Sequence, residues 1–434
     1  MSTVGIYTLG CKVNQYESEA IAEGFEQNGF EVLAPTAVCD FYVINTCTVT
    51  AESDRKARQF IRRAIKKNPL AYILVTGCMA QTQAANIAKI SGVDYICGNA
   101  DKLSVVSAAL ELHKAGQKAD APKINVPPAD AHGFESMKIT KFDRTRAYIK
   151  IEDGCESRCT YCTIPAARGS IRSKCPADVL AEVRGLTEAG CREIVLTGIE
   201  TASYGKDLEG YTLADLLEEI DRIPNVGRIR LGSLDPSLIK EPFVQRIAAL
   251  RSITPHFHLS MQSGSDKVLA LMKRKYNTRM ALKAMELLRG AMPTVQFTTD
   301  MIVGFPQESD EDFAQTMEFV KQARFLMIHV FPYSKRSGTP AAVMSGQIPE
   351  PIKHERATQL SQVEAEIRRD ILDSLTGSVT DVLFETYSDG YVCGHSAEFV
   401  EIHCKCDEPM QAQTRTVTIT HNDGNVCYAT LTHA

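Results

Sequence analysis

The sequence predicts an α/β protein in three parts: a parallel α/β domain over residues 1–113, an open, partial (β/α)6 barrel over 141–371, and a small all-β barrel over 372–434. Three observations carry this. Short apolar runs alternate with helical patterns in two long stretches, the sign of parallel sheets with helices on their faces. Between those stretches, residues 114–140 lose periodicity and gather Ala, Asp, Lys and Pro, including Pro127-Pro128, which marks a linker. Towards the end the pattern changes again: Thr416, Thr418 and Thr420 alternate with Val417 and Ile419, and Asp389-Gly390 and Asp423-Gly424 mark turns between strands.

Composition bounds the function. The chain has 434 residues, 44% of them hydrophobic and 23% charged. No apolar run approaches the roughly 18 residues of a membrane span, and the first residues lack the basic and apolar segments of a secretory signal. Fourteen cysteines without a sign of export fit metal-bound thiolates in a reducing cytoplasm better than disulfides. The net charge of −5 is unevenly spread. From Leu372 onward nine acidic residues face only Lys405 and Arg415, a balance of −7 that leaves +2 for residues 1–371.

In the first part, strand-like runs at 4–9, 41–44 and 71–75 are each followed by a helical pattern, with a further short strand hinted at 95–96. Cys11, Cys47 and Cys78 each follow the end of one of these strands. In open α/β sheets the carboxyl ends of the strands share one edge, where ligands bind, so the three thiols should converge there; three core cysteines near strand ends are the alternative. Cys39 and Cys97 lack this placement and read as ordinary buried thiols. Residues 52–68 form an amphipathic helix with Ala57, Phe60, Ile61, Ala64 and Ile65 on one face. Arg55, Lys56, Arg58, Arg62, Arg63, Lys66 and Lys67 crowd the remainder. Such runs are usually solvated surface, but a face of one sign beside a ligand edge also suits phosphates.

In the second part, strands are expected at 147–151, 193–196, 228–231, 257–259, 295–303 and 325–331, with helices between them, for instance over 176–189 and 279–288. Six units are too few for an eight-unit closed barrel, and chemistry should sit where the strands end. The loop after the first strand is Cys155-Glu-Ser-Arg-Cys159-Thr-Tyr-Cys162. Thiolates so spaced can hold zinc or an iron–sulfur cluster. No fourth Cys or His follows at a suitable distance, and a cubane on three protein ligands leaves one iron open for a reacting molecule. The second strand ends in Thr197-Gly198-Ile199-Glu200, where Gly198 permits close backbone approach and Glu200 is either a ligand contact or a solvated carboxylate. Ser260-Met-Gln262-Ser-Gly-Ser-Asp266 ends the fourth strand and carries residues suited to capping a helix. A Pro/Gly-rich break at 337–351 leads to a long helix from 352 to about 375. Cys393, Cys404, Cys406 and Cys427 are spaced too irregularly for a confident zinc site and read as buried or spare thiols.

The Cys155–Cys162 spacing, with Tyr161 before the last cysteine, resembles the signature of radical S-adenosylmethionine enzymes. Thr8-Leu-Gly-Cys-Lys-Val-Asn-Gln-Tyr-Glu-Ser18, Asn45-Thr-Cys-Thr-Val-Thr50 and Thr76-Gly-Cys-Met-Ala-Gln81 resemble the N-terminal domain of the methylthiotransferases. Arg230-Leu-Gly-Ser233-Leu-Asp-Pro236, His258 to Asp266, Asp300-Met-Ile-Val-Gly-Phe-Pro306 and Tyr333-Ser-Lys-Arg-Ser-Gly-Thr-Pro340 resemble the same family. The resemblance implies a flavodoxin-like N-terminal domain, a radical S-adenosylmethionine barrel and a C-terminal TRAM domain. It implies two [4Fe-4S] clusters, one on Cys155, Cys159 and Cys162 and one on Cys11, Cys47 and Cys78. It also implies two S-adenosylmethionine molecules per turnover, with Tyr161, Gly198, Glu200, Ser233, Gln262 and Asp300 as candidate contacts. Its expected partners are a tRNA anticodon stem-loop and an electron donor such as flavodoxin or ferredoxin, with a cytoplasmic monomer acting away from membranes.

Within the family, Gly10-Cys-Lys-Val-Asn14 is most similar to the enzymes that methylthiolate carbon 2 of threonylcarbamoyladenosine in tRNA. The branch acting on isopentenyladenosine tends towards Gly-Cys-Gln-Met-Asn, and the branch acting on a ribosomal-protein aspartate towards Gly-Cys-Pro-Lys-Asn. Those two substrates are the alternatives within the same chemistry, and an RNA-binding iron–sulfur sensor without turnover is the alternative outside it. Because a barrel at −7 repels phosphate, much of any RNA grip should come from residues 1–371, with splayed anticodon-loop bases suited to the site.

Overall fold

The computed structural model describes residues 1–142 and 145–432. The first sheet holds six parallel strands: β1 (Thr3–Thr8), β2 (Glu31–Leu33), β3 (Phe41–Thr46), β4 (Tyr72–Gly77), β5 (Tyr95–Cys97) and β6 (Lys123–Asn125), in the order β2-β1-β3-β4-β5-β6. This is the flavodoxin-like order with one strand added. Phe41–Thr46 and nearly all of Tyr72–Gly77 are buried, as expected of central strands covered by helices on both faces. Among those helices are α1 (Lys12–Gln27), α2 (Ala51–Lys67), α3 (Cys78–Ile87) and α4 (Ser104–Ala115). The segment expected to be linker therefore contains β6, which pairs with β5 from Tyr95↔Lys123 to Cys97↔Asn125.

The second unit has β7 (Arg146–Lys150) followed by a two-residue ribbon of β8 (Glu152–Asp153) and β9 (Arg172–Ser173). It continues with β10 (Glu193–Thr197), β11 (Arg228–Leu231), β12 (His256–Gln262), β13 (Gln296–Val303) and β14 (Met327–Pro332). Six parallel strands line up as β7-β10-β11 and β12-β13-β14, joined by single bridges Ile229↔Ile253 and Leu234↔Leu259. Among the described residues no pairing joins β7 to β14, so the barrel is open. The helix Glu350–Ser374 packs along β14. Its Arg356 reaches the Glu308 carboxylate at 2.8 Å, which also accepts the Gly304 amide at 3.0 Å. The Gly-Phe-Pro words after β13 thus serve docking of this helix.

The last unit, β15 (Val379–Ser388), β16 (Tyr391–Ser396), β17 (Glu401–Lys405), β18 (Thr414–Asn422) and β19 (Cys427–Leu431), closes as β15-β16-β17-β19-β18. Asp389 and Gly390 both take positive φ (55° and 77°) between β15 and β16, as a two-residue hairpin turn requires. Cys404 and Cys427 lie in its core. Cys39 and Cys97 are likewise fully buried. No helix among the described residues is long and apolar enough to cross a membrane.

Candidate active site

Two strands that run side by side while their crossovers leave in opposite directions open a crevice at their carboxyl ends. In the first sheet that place lies between β1 and β3, and it is where Cys11 and Cys47 stand; Cys78 follows the adjacent β4. Cys11 is the N-cap of α1, Cys78 is the first residue of α3, and Cys47 lies three residues before Thr50, the N-cap of α2. Three helix N-termini therefore converge on three thiols, an arrangement that favours negative charge. Two glycines make the convergence possible. Gly10 has φ 105°, and a Cβ there would lie 2.8 Å from Cys47 Cβ; Gly77 has φ 97°, and a Cβ there would lie 2.4 Å from the Thr46 carbonyl oxygen. Asn14 clamps the loop by donating to the carbonyls of Leu9 (2.6 Å) and Thr46 (3.0 Å).

The Cys155–Cys162 loop leaves β8 at the carboxyl end of the barrel strands. Each of its thiols has a donor. The Ser157 amide reaches Cys155 Sγ at 3.4 Å, the Ile164 amide reaches Cys162 Sγ at 3.4 Å, and Arg274 Nη1 reaches Cys159 Sγ at 3.3 Å. In the other set, the Val49 amide lies 3.5 Å from Cys47 Sγ. Without metal, Cys155, Cys162 and Cys47 are held protonated. Burial, reinforced by the Glu200 charge, pushes Cys155 up to about 12, burial above all pushes Cys162 up to about 12, and burial with the neighbouring Cys78 pushes Cys47 up to about 11. Metal binding must displace those protons, and the amide and guanidinium donors then stabilise the thiolates. This chemistry fits two clusters. Among the described residues no three His, Cys, Asp or Glu converge on a single ion, whereas a cubane's thiolates bind different irons and stand further apart. For the radical loop, replacing Arg274 by Met should lower activity by about 10–100-fold; the rate of 5′-deoxyadenosine formation measures it.

A cavity of about 150 Å³ is lined by Cys155, Cys159 and Cys162 together with Tyr161, Glu200, Ser233 and Gln262. Asp300 lines an adjoining cavity of about 260 Å³, shared with Tyr161 and Gln262 and also lined by Val49 and Thr50 of the first domain. Gly198 lines neither: a Cβ there would lie 2.7 Å from Glu152 Oε2, which accepts the Glu200 amide at 2.8 Å. Its lack of a side chain makes room for Glu152. Glu200 itself accepts from Cys155 Sγ at 3.2 Å and Ser157 Oγ at 3.1 Å.

The two domains that carry the thiol sets are held together by contacts between residues far apart in the chain. Arg168, on α5 (Ile164–Arg168) just beyond Cys162, donates to Asn14 Oδ1 at 2.7 Å and Glu17 Oε1 at 2.8 Å on α1. Glu17 is fully buried and also binds Lys102 and Lys150. On the other side Arg336 donates to Thr48 Oγ1 at 2.8 Å and Asp54 Oδ2 at 2.6 Å. The Ala51 amide donates to Ser334 Oγ at 3.1 Å. The resemblance words around Asn14, Glu17 and Arg336 are therefore the cement between domains as well as the frame of the site.

Family comparisons agree with this assembly. Residues 3–98 match the model described as "Uncharacterized protein family UPF0004", and residues 149–320 match the radical SAM superfamily. The fold and the Cys155–Cys162 site thus define a radical S-adenosylmethionine protein carrying a second cysteine-bearing α/β domain. The chain is 40% identical over 417 residues, 94% of its length and 92% of the relative's, to a Bacillus subtilis protein named threonylcarbamoyladenosine tRNA methylthiotransferase MtaB. It is 38% identical to the Thermotoga maritima protein of the same name, over 92% of this chain and 91% of that one. The chain belongs to the radical S-adenosylmethionine methylthiotransferase family. Among solved structures it shares its fold with the radical S-adenosylmethionine methyltransferase TsrM from Kitasatospora setae. The TM-score is 0.57 at 16% identity, over 79% of this chain and 77% of that one.

Proposed function

We propose that this protein methylthiolates carbon 2 of N6-threonylcarbamoyladenosine next to the anticodon of tRNA, as a cytoplasmic enzyme. The observation that carries the reading is a three-cysteine loop in a unit docked, through Arg168 and Arg336, against the domain that bears three strand-end cysteines, in a chain whose relatives over more than nine-tenths of its length bear that name. Cys155, Cys159 and Cys162 would hold one [4Fe-4S] cluster and Cys11, Cys47 and Cys78 a second. Bound there with S-adenosylmethionine, such clusters would supply the radical chemistry that breaking an unactivated aromatic C–H bond requires and the sulfur to be transferred.

The chain's own residues orient and exclude. Tyr161, Glu200, Ser233 and Gln262 shape the pocket beside the radical loop, and Glu200 offers a carboxylate to the ammonium of S-adenosylmethionine. Asp300, across Gln262, lies where that pocket opens towards the first domain. The Tyr161 and Phe305 rings, edge to face at 6.4 Å, wall the loop with apolar surface. Two molecules of S-adenosylmethionine per turnover, one of them to methylate the sulfur, and a flavodoxin or ferredoxin as electron donor complete the reading, with a monomer as the working unit. Domains are taken as 1–113, 141–371 and 372–434, with β6 of the intervening segment belonging to the first.

The test is direct. Reconstituted protein with a reductant should convert threonylcarbamoyladenosine in a purified tRNA and leave isopentenyladenosine tRNA unchanged. The reverse preference would assign it to the other branch, and deoxyadenosine at background with either tRNA would point to a sensor.

A further inference from the structure

If the protein acts on tRNA, as proposed above, something must hold the phosphate backbone. The C-terminal barrel has the family's RNA-binding role by resemblance, yet it carries −7 and only two cations, and the structure shows what that acidity faces. Arg146 at the start of β7 pairs with Glu385 of β15. Arg228 donates to the carbonyls of His395 (2.9 Å) and Asp381 (2.7 Å), and Arg230 to that of Ala397 (3.2 Å). Phe399 sits beneath this row, 4.8 Å from the Arg230 guanidinium and stacked on His256 at 4.7 Å. The barrel thus seals the amino-terminal end of the open (β/α)6 barrel, with Glu385 paired to Arg146 and backbone carbonyls accepting from Arg228 and Arg230. One of its two cations, Arg415, is turned to the Gln413 side chain.

α2 is built the other way. Ala57, Ile61 and Ala64 are fully buried, and the buried Asp54 is pinned by Arg336, so the helix cannot roll. On the opposite arc Lys56, Arg62, Arg63 and Lys66 are exposed and Arg58 half-exposed. None of these five makes a hydrogen bond or ion pair among the described residues; Arg63 merely lies over the Phe60 ring at 5.7 Å. Five free cations on one rail about 15 Å long are what a polyanion needs and what a self-contained surface helix, laced with i,i+4 pairs, does not show. The rail also points somewhere: its N-cap, Thr50, with Val49, forms the wall of the 260 Å³ cavity that opens towards Tyr161 and Gln262. A phosphate backbone laid along α2 therefore leads to the cavity lined by Tyr161 of the Cys155–Cys162 loop and by Gln262.

We propose that α2 is the main electrostatic grip on the tRNA backbone, with Lys56, Arg58, Arg62, Arg63 and Lys66 as the phosphate contacts, and that the C-terminal barrel contributes little of the charge-dependent binding. The substitutions R62Q, R63Q and K66Q, combined in the full-length reconstituted protein, are compared with K405Q plus R415Q. Binding of a fluorescent anticodon stem-loop is followed by anisotropy from 50 to 300 mM salt. Each phosphate contact contributes about 0.7–0.9 to the slope of log affinity against log salt. The α2 variant should lose about 2 from that slope and about 10–100-fold in affinity at 100 mM salt. KM for tRNA should rise while the deoxyadenosine formed without tRNA stays at the wild-type rate, and R62K with R63K should restore the slope. The barrel variant should retain the wild-type slope. Wild-type slope and affinity in the α2 variant, with loss in the barrel variant, would overturn the proposal. Loss of binding in the α2 variant together with no methylthiolation by the wild type would sink the substrate reading and leave this grip standing.

Discussion

Changing Cys155, Cys159 and Cys162 together to Ala is expected to halve the bound iron, from about eight to about four per chain, and to reduce deoxyadenosine formation to background. The expectation follows from the separate anchoring of the two sets. Cys11, Cys47 and Cys78 are placed by β1, β3 and β4 and by three helix N-termini, none of which the radical loop builds. The reciprocal variant, Cys11, Cys47 and Cys78 to Ala, should keep deoxyadenosine formation and lose methylthiolation. Iron analysis and Mössbauer spectra decide it: loss of both clusters in either variant would mean that the two sites do not assemble independently.

Glu17→Gln should destabilise the chain strongly. Glu17 is completely buried, and Arg168, Lys102 and Lys150, all buried with it, converge on its carboxylate. Burial alone would raise its pKa, but the three cations outweigh that and hold it well below the usual carboxylate range. Removing the negative charge leaves Lys150 and Arg168 with Asp153 as their one ion-pair partner among the described residues, and Lys102 with none. Breaking such a cluster costs about 3–5 kcal/mol. Because Glu17 joins α1 to α5, the loss should also loosen the seat of the first domain on the second. Chemical denaturation of the metal-free protein reads the first effect. Protease sensitivity of residues 114–140 reads the second.

Much of the architecture was legible because the central strands are apolar runs buried on both faces, and all six strands of the open barrel fall within a few residues of their expected places. The hairpin turns of the last unit were legible for a different reason, since Asp-Gly permits the positive φ that such turns demand. β2 and β6 were missed for a physical cause: they are three-residue edge strands with little buried surface, and Ile124, the one apolar residue of β6, is 51% exposed. Cys11, Cys47 and Cys78 could be found by position, each one to three residues past a strand, and Cys155, Cys159 and Cys162 by their spacing. Arg274, which meets Cys159 across 115 residues, and Arg336, which meets Thr48 across 288, could not. No local pattern predicts which distant charge a loop will find.

The central claim is that these two cysteine sets serve one reaction on one modified base. Mass spectrometry of tRNA nucleosides from cells lacking this protein, with and without the chain restored, tests it most directly. The account predicts that 2-methylthio-N6-threonylcarbamoyladenosine disappears, that its unthiolated parent accumulates, and that restoration reverses both, while the Cys11→Ala chain does not. An unchanged level of that nucleoside, with loss of the isopentenyl counterpart or of no tRNA nucleoside at all, would contradict it.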